Sequence, residues 1–500
     1  MARDGRADRL AELRPPSATL NSLESHMREI SPNRPMRRLF NMKRGEFPLA
    51  AMSALFFFLV LCGYFFLRPL REAMGVARGL GELRVLFVVN AAVALIAVLF
   101  FGGVVARMNR RGFIPTAYLF VIGCLLIFAA LLVYDVRSGG GVIGTDAQTG
   151  LSRGIGYTYY IWLTTINLFT TAVFWAFMVD IFNVDQGKRL FAFIGIGGTL
   201  GALAGGWTAN RISALTDTPY LPAGLMMTGA FCFALAIVVM LVLDGMARRA
   251  RSDATDEPVA TTGPESGLSA TAEAETEPSP TGPDARIGGS FWEGIPAVFR
   301  SRYLLGVGLW IVFMAVSNTL VYFAQANIVL TGSDGFSSLV ANFAQFDYVA
   351  QGVTLIIQVL ITTHVIRKVG VGWTLAVLPL VTLVGFVVLA IWPVFGVMLI
   401  FAAIHRATRY AISRPARETL FSVLSPAEKY KAKPVVDVFL YRFGDAAGAG
   451  VDAVFALLGL TLAWAAASTG PLAALWILLS IGLGRAQMRK VAEGGGRTRA

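Results

Sequence analysis

Long apolar segments separated by short polar ones follow one another along most of the chain. A helix needs about 20 apolar residues to cross roughly 30 Å of hydrocarbon, and these segments have that length. We therefore predict about twelve membrane-spanning helices. In the first half they lie at 48–70, 83–105, 113–134, 157–182, 190–211 and 221–243, and in the second half at 303–326, 346–367, 372–391, 395–420, 433–459 and 470–485.

A polar stretch at 247–290 divides these segments into two groups of six. It is rich in Pro, Thr, Ser, Ala and Glu without apolar periodicity, so it cannot bury enough surface to become ordered. We predict a basic cytoplasmic tail at 1–47, six-helix bundles at 48–246 and 291–486, a disordered cytoplasmic linker at 247–290 and a cytoplasmic tail at 487–500. This all-α polytopic outline, with two six-helix halves, resembles the major facilitator fold.

Composition supports a membrane protein and argues against a nucleic-acid-binding one. Apolar residues make up 55% of the chain and charged residues 15%, whereas soluble domains have about 25% charged residues. The net charge is +12, but the basic residues flank apolar segments, as they do in membrane proteins that obey the positive-inside rule. Their distribution places both termini and the linker in the cytoplasm. Arg68 and Arg71 are exceptions, because they follow the first apolar segment on the opposite side.

Several charged residues of the second half fall at membrane depth, where ionisable groups are costly and usually functional. With ~1.5 Å of rise per residue, Arg406 and Arg409 lie near the middle of the tenth segment. Arg442 and Asp445 lie near the middle of the eleventh, with Asp437 closer to its cytoplasmic end. Either the carboxylates pair structurally with the arginines, or the arginines line a pocket for an anion, which a guanidinium fork matches well. The sequence leaves both alternatives open.

Glycines repeat at four-residue spacing in two segments that enter the membrane from charged cytoplasmic loops. They are Gly197, Gly201 and Gly205 in the fifth segment, and Gly444 and Gly448 in the eleventh. This spacing places each set on one helix face, where another backbone can approach closely. The sequence therefore predicts tight helix packing at these two faces.

Three motifs resemble those of known transporter families. The stretch GVVARMNRRG at 103–112 is similar to the loop motif of the major facilitator superfamily. The stretches YFFLRPLREAMGV at 64–76 and FWAFMVDIFNVDQGKRLFAFIGIGG at 174–198 resemble the ATP/ADP translocase family of bacteria and plastids. The matching positions are Gly103, Arg107, Arg110 and Arg111 in the first, Arg68, Arg71 and Glu72 in the second, and Phe174, Trp175, Asp185, Lys188, Arg189 and Phe191 in the third. The likeness implies a nucleotide-exchange carrier of the bacterial inner membrane.

The leading hypothesis is a secondary transporter that moves a small anionic solute, in its specific form a nucleotide by exchange, through alternating access. Its substrate-binding residues would be Arg68, Arg71, Arg406, Arg409 and Arg442. We expect a small-molecule anion and the lipid bilayer as partners, a monomer, and no enzyme activity, cofactor, metal site or nucleic-acid partner.

Two alternatives remain. The first is a proton-coupled carrier of another solute, with coupling or gating by Glu72, His405 or Asp445. Asp180 and Asp437, near cytoplasmic helix ends, are further gating candidates. The second is a membrane scaffold or sensor that does not transport. A scaffold predicts a filled interface between the halves, whereas a carrier predicts a cavity lined by the arginines.

Overall fold

The computed structural model describes residues 43, 46–105, 110–141, 143–145, 148–255, 291–360, 369–425, 428, 432–433, 435–460 and 462–497. Within these ranges the regular structure is helical and no strand is present. The predicted N-terminal tail to 42, most of the linker and part of the loop motif at 103–112 lie outside the described residues.

Six long helices form the first half of the molecule and six form the second. The first six are α1 Glu46–Val76, α2 Leu80–Val105, α3 Arg110–Arg137, α4 Gly150–Ile181, α5 Val184–Leu215 and α6 Leu221–Thr255. A short helix, α7 Phe291–Arg300, precedes α8 Arg302–Thr331, α9 Phe336–Leu360, α10 Val371–Ile391, α11 Phe395–Leu420, α12 (Val435–Leu440 and Tyr441–Leu457) and α13 Leu462–Arg497. Ten of the described helices are long and apolar enough to cross a membrane. The all-α polytopic fold class is confirmed.

Several helices extend beyond the apolar segments that predicted them. Helix α1 continues to Val76 and α9 begins at Phe336, ten residues or so from the predicted start. Helix α4 begins at Gly150, where Thr149 Oγ1 accepts a hydrogen bond from Ser152 N at 3.1 Å. Polar residues lower the hydropathy of these ends without breaking the helix, because a cap or a buried partner satisfies them.

Two helices also continue into segments predicted as linker and tail. Helix α6 passes the predicted boundary at 246 and runs to Thr255, and α13 passes 486 and runs to Arg497. An ion pair between Asp244 and Arg248, one turn apart, supports the charged end of α6. Hydropathy marks where a helix leaves the bilayer, whereas hydrogen bonding decides where it ends.

The glycine faces bring helices into backbone contact within each half. A Cβ on Gly201 of α5 would overlap the carbonyl oxygen of Phe58 in α1. Gly197 and Gly205 meet the same helix one turn to either side. In the second half, a Cβ on Gly448 of α12 would lie 2.7 Å from Thr319 Cβ of α8. In each half, therefore, glycines of the fifth long helix contact the first long helix.

Helix α11 widens in its middle into a π-helical turn, Thr408–Ser413. Pro415 follows this turn and has no N–H to donate to the carbonyl of Ala411, so the regular hydrogen-bond ladder is interrupted there. Such turns are frequent at functional sites because they change the direction in which side chains point. Arg409 and Tyr410 lie within it.

Two hydrogen bonds join the halves at one end of the bundle. We name the end where α1 begins and α6 ends the linker end, and the opposite end the loop end. At the loop end Arg84 Nε donates to Asp452 Oδ2 at 2.8 Å, joining α2 to α12. Asn210 Nδ2 donates to the carbonyl oxygen of Ala341 at 2.8 Å, joining α5 to α9. These contacts close the bundle at the loop end.

Candidate functional site

A cavity of about 1130 Å³ lies between the two halves. Pockets for small molecules usually measure roughly 300–1000 Å³, so this one is large enough for a metabolite with its water. Its charged lining extends from the middle of the bundle to the linker end, with eight basic and four acidic residues. They are Arg68, Arg71, Arg406, Arg409, Arg414, Arg417, Lys433 and Arg442, and Glu72, Glu418, Asp437 and Asp445. The structure thus places all five predicted binding arginines in one cavity.

A single buried carboxylate joins two cavity arginines that come from opposite halves. Asp347 Oδ1, on α9, accepts from Arg68 Nη1 of α1 at 2.7 Å and from Arg406 Nη1 of α11 at 2.6 Å. The Asp347 side chain is only 3% exposed. Its second oxygen, Oδ2, is buried without a hydrogen-bond partner among the described residues. One oxygen atom therefore carries a contact between the halves.

Arg71 and Glu72 form a second cluster on α1. Their side chains make an ion pair, and Arg71 Nη1 also donates to Thr164 Oγ1 of α4 at 2.8 Å. Glu72 accepts a hydrogen bond from the Tyr322 hydroxyl of α8, across the interface between the halves. Arg68 Nε also lies 3.6 Å from Glu72 Oε1. Because Glu72 is held by two arginines of α1 and by a tyrosine of α8, it helps to fix the first half against the second.

Two arginines of the second half differ in their partners. Arg442 Nη1 donates to Asp445 Oδ2 at 3.1 Å, within α12. Arg409 contacts neutral groups: it donates to Asn318 Oδ1 and, at 2.6 Å, to the Tyr410 hydroxyl. Arg442 thus matches the structural-pair alternative, whereas Arg409 has no carboxylate within ion-pair distance among the described residues.

The middle of the cavity carries more positive than negative charge. In the described part of the chain, five arginines of this region face three carboxylates. The arginines are Arg68, Arg71, Arg406, Arg409 and Arg442, and the carboxylates are Glu72, Asp347 and Asp445. Ion pairs among these described residues therefore leave two positive charges in excess.

Comparisons with known proteins agree with this architecture. A bacterial homologue of the iron transporter ferroportin in its inward-facing state has a TM-score of 0.58 at 9% identity, over 88% of this chain and 100% of that one. A POT family transporter in complex with 5-aminolevulinic acid has a TM-score of 0.56 at 10% identity, over 88% and 96%. This chain has the major facilitator fold. With its many apolar helices, it is an integral membrane protein.

Sequence comparison gives a more distant match. ADP,ATP carrier protein 1 of Chlamydia pneumoniae is 23% identical over 304 residues, which is 55% of this chain and 56% of the carrier. The match therefore spans about half the length of that carrier. No protein-family profile matches the chain. The predicted resemblance to this carrier group is present at a low level of identity.

The remaining predicted residues lie away from the five predicted binding arginines or are buried beside them. Asp437 of α12 is 3.5 Å from Arg417 Nη2, near the linker end, and not beside Arg406 or Arg442. Asp180 is exposed at the linker end of α4. His405 is 2% exposed, and its Nε2 has no hydrogen-bond partner in the described structure. Asp437 thus lines the cavity beside Arg417, and Asp180 is not among the lining residues.

The translocase-like motif at 174–198 serves two purposes in this fold. Arg189 of α5 binds Glu46 of α1 with two hydrogen bonds, Nη1 to Oε2 at 3.0 Å and Nη2 to Oε1 at 2.9 Å, at the linker end. Trp175 lines the cavity and packs on Phe191, with ring centroids 5.3 Å apart. The motif therefore joins α1 to α5 and supplies an aromatic wall.

The sequence pattern gave no prediction for Asp347, although this residue hydrogen-bonds to arginines of both halves. The predicted segment began at 346, so Asp347 looked like a residue at the edge of the membrane. Helix α9 begins at Phe336, and ~1.5 Å of rise per residue then puts Asp347 about 16 Å deep. A lone acidic residue between aromatic neighbours in an apolar span was the available signal.

Proposed function

We propose that this protein is a secondary transporter for a small anionic solute and that it works by alternating access. The excess of arginines over carboxylates in the middle of a cavity between two six-helix halves carries this proposal. Buried positive charge at membrane depth is costly unless it has a partner. An anion with two or more negative charges would neutralise the excess and bind several guanidinium groups at once.

The direction of the cavity fits one state of such a cycle. Contacts at the loop end close the bundle, whereas the lining residues Arg417, Glu418 and Lys433 extend the cavity to the linker end. In alternating access, the two halves rock about a central site that opens to one side at a time. We infer that this state admits solute from the linker end.

A nucleotide is the specific solute that we propose, with exchange as the mode of transport. The distant match to an ADP,ATP carrier supports it. Phe57 and Trp175 both line the cavity, with ring centroids 5.4 Å apart. Their rings offer a surface on which a base could stack. The arginines would then hold the phosphates. In exchange, the outgoing anion resets the carrier, so no coupling ion is required.

The two alternative functions explain less of this geometry. A scaffold would have a filled interface between the halves, and the cavity argues against it. A proton-coupled carrier needs a carboxylate or imidazole that is free to titrate during the cycle. Glu72 and Asp445 both pair with arginines, so protonating either one would break an ion pair within the protein.

The orientation in the membrane is part of the proposal. Basic residues concentrate in the sequence segments that lie at the linker end of the bundle. The positive-inside rule therefore places that end in the cytoplasm. We expect reporter tags at the N-terminus, at the C-terminus and within 256–290 all to show a cytoplasmic location. Alkaline phosphatase and fluorescent-protein fusions measure this in bacterial cells. An active phosphatase fusion at any one of the three places would contradict the orientation.

Ligand screening tests the anion site directly. We expect ADP, ATP or another phosphorylated metabolite to raise the apparent unfolding temperature of the purified protein, because a ligand of the folded state stabilises it. Arg409→Gln should weaken that ligand by about 1.5–3 kcal/mol, the usual range for a hydrogen bond to a charged group. The partners of Arg409 are neutral, so this replacement leaves no carboxylate unpaired.

Arg211→Gln is the matched control, because Arg211 is an exposed arginine at the loop end. Its Cζ lies 5.7 Å from the ring centroid of Trp207. The variant should bind the anion as the wild type does. Equal weakening in both variants would point to long-range electrostatics instead of a site. No stabilisation by any anion, with a well-folded wild type, would contradict the proposed function.

A further inference from the structure

We propose that Asp347 is an internal counter-anion that occupies the binding arginines of the empty carrier and is displaced by the solute. This inference rests on the proposed function and adds a specific step to it. The position of Asp347 carries it: one carboxylate oxygen lies between Arg68 of the first half and Arg406 of the second. An anionic solute that binds these arginines must compete with Asp347 for the same N–H groups.

The way in which Asp347 binds makes displacement feasible. Both arginines donate to Oδ1, while Oδ2 is buried without a partner in the described structure. A phosphate or carboxylate group can offer each guanidinium its own oxygens in the fork geometry that arginine prefers. Asp347 thus neutralises charge in the empty site but uses only part of its hydrogen-bonding capacity. It keeps the two arginines in position until an anion that makes more hydrogen bonds with them displaces it.

Displacement of Asp347 would also release a connection between the halves. The hydrogen bond from Arg68 to Asp347 links α1 to α9 near the middle of the bundle. Arg84 and Asp452 form another inter-half ion pair at the loop end, and neither residue lines the cavity. When the solute binds Arg68 in place of Asp347, fewer bonds hold the two halves together. Solute binding would thereby lower the cost of opening to the other side, as exchange transport requires.

The affinity of the Asp347→Asn variant tests competition directly. An amide keeps the size of the side chain but removes the charge that competes with the solute. Using ADP and, separately, inorganic phosphate as probes, we expect Asp347→Asn to bind at least one of them about tenfold or more tightly than the wild type, within the usual range of coupling between sites. Isothermal titration of detergent-purified protein at constant pH and salt measures this.

Asp452→Asn is the matched control. It too removes one ion pair between the halves, but its partner, Arg84, is not one of the arginines that line the cavity. Its anion affinity should stay within about twofold of the wild type. If both variants bind more tightly by the same factor, loosening of the halves explains the gain and the competition proposal is wrong. Unchanged or weaker binding by folded Asp347→Asn also overturns it.

A second comparison covers the case in which Asp347→Asn does not fold. Arg68→Gln should weaken anion binding, because one arginine is lost while Asp347 still occupies Arg406. Arg68→Gln with Asp347→Asn should bind more tightly than Arg68→Gln alone, because the competitor is gone. Equal or weaker binding by the double variant would contradict competition.

The two proposals fail in different ways. If neither probe binds the wild type or any variant, the anion site and the role of Asp347 are both wrong. If a probe binds the wild type and loses affinity in Arg409→Gln but gains none in Asp347→Asn, the site stands and only the counter-anion role is wrong. A transport measurement completes the distinction: proteoliposomes with wild-type protein should need internal ADP for ADP uptake, and Asp347→Asn should relax that need.

Discussion

Gly201→Leu should prevent the protein from accumulating in folded form. A side chain at this position would overlap the backbone of Phe58, so α5 and α1 could not keep their present contact. Backbone atoms cannot move aside as a flexible side chain can, so the cost should reach the upper end of the usual range for overpacking, about 3 kcal/mol or more. Gly448→Leu should act similarly through Thr319 and Val316 of α8. Fluorescence-detected size-exclusion chromatography of tagged protein measures the loss.

Gly450→Leu is the matched control, because Gly450 lies two residues after Gly448 on α12. Gly450 is exposed, and a Cβ there would meet no atom within 4 Å. This variant should express and unfold like the wild type. A monodisperse, normally stable Gly201→Leu or Gly448→Leu protein would show that these faces tolerate separation. Loss of all three variants would instead indicate general sensitivity of the glycine-rich helices.

Arg442→Gln should destabilise the protein by about 3 kcal/mol, because it leaves the Asp445 carboxylate buried without its partner. Asp445 is 7% exposed, and its other hydrogen bond is a long one, 3.4 Å from Thr319 Oγ1. Asp445→Asn should be milder, since the charge that it leaves unpaired is on Arg442, the more exposed partner. Thermal unfolding and chemical denaturation in detergent compare the variants.

The double variant Arg442→Gln with Asp445→Asn should recover much of the stability that Arg442→Gln loses. Recovery would show coupling between the two side chains, as a double-mutant cycle is designed to do. Simple addition of the two losses would mean that the 3.1 Å pair contributes little to folding. The same cycle, followed by ADP binding, separates a structural role for Arg442 from a role in the anion site.

The arginines of the cavity therefore fall into separate groups. Arg442 pairs within its own helix, Arg68 and Arg406 share one carboxylate across the halves, and Arg409 contacts neutral groups. From the sequence, the same two alternatives, an anion pocket or structural pairing, applied to all of them. The structure supports pairing for Arg442 and leaves Arg409 as the sharpest test of an anion pocket. A single cavity can contain both kinds of arginine.

The sequence alone determined the fold class and the order of the helices along the chain. Hydrophobic length is a local property, and a span must bury its backbone polar groups in a helix, so twelve segments could be recognised without a tertiary model. Glycine spacing likewise predicted two close-packed faces, because four-residue periodicity is fixed by helix geometry. Arginines at membrane depth stood out because such residues are rare there.

Tertiary structure alone decided which charges meet. Asp347 lies 279 positions from Arg68 in sequence, and no local pattern relates two residues on helices of different halves. Helix ends depended on capping and buried partners, so a predicted start at 346 hid the depth of Asp347. Pairing in the membrane follows from how helices pack and rotate against each other. Hydropathy places a residue along its helix, but only the packing of both halves places it beside its partner.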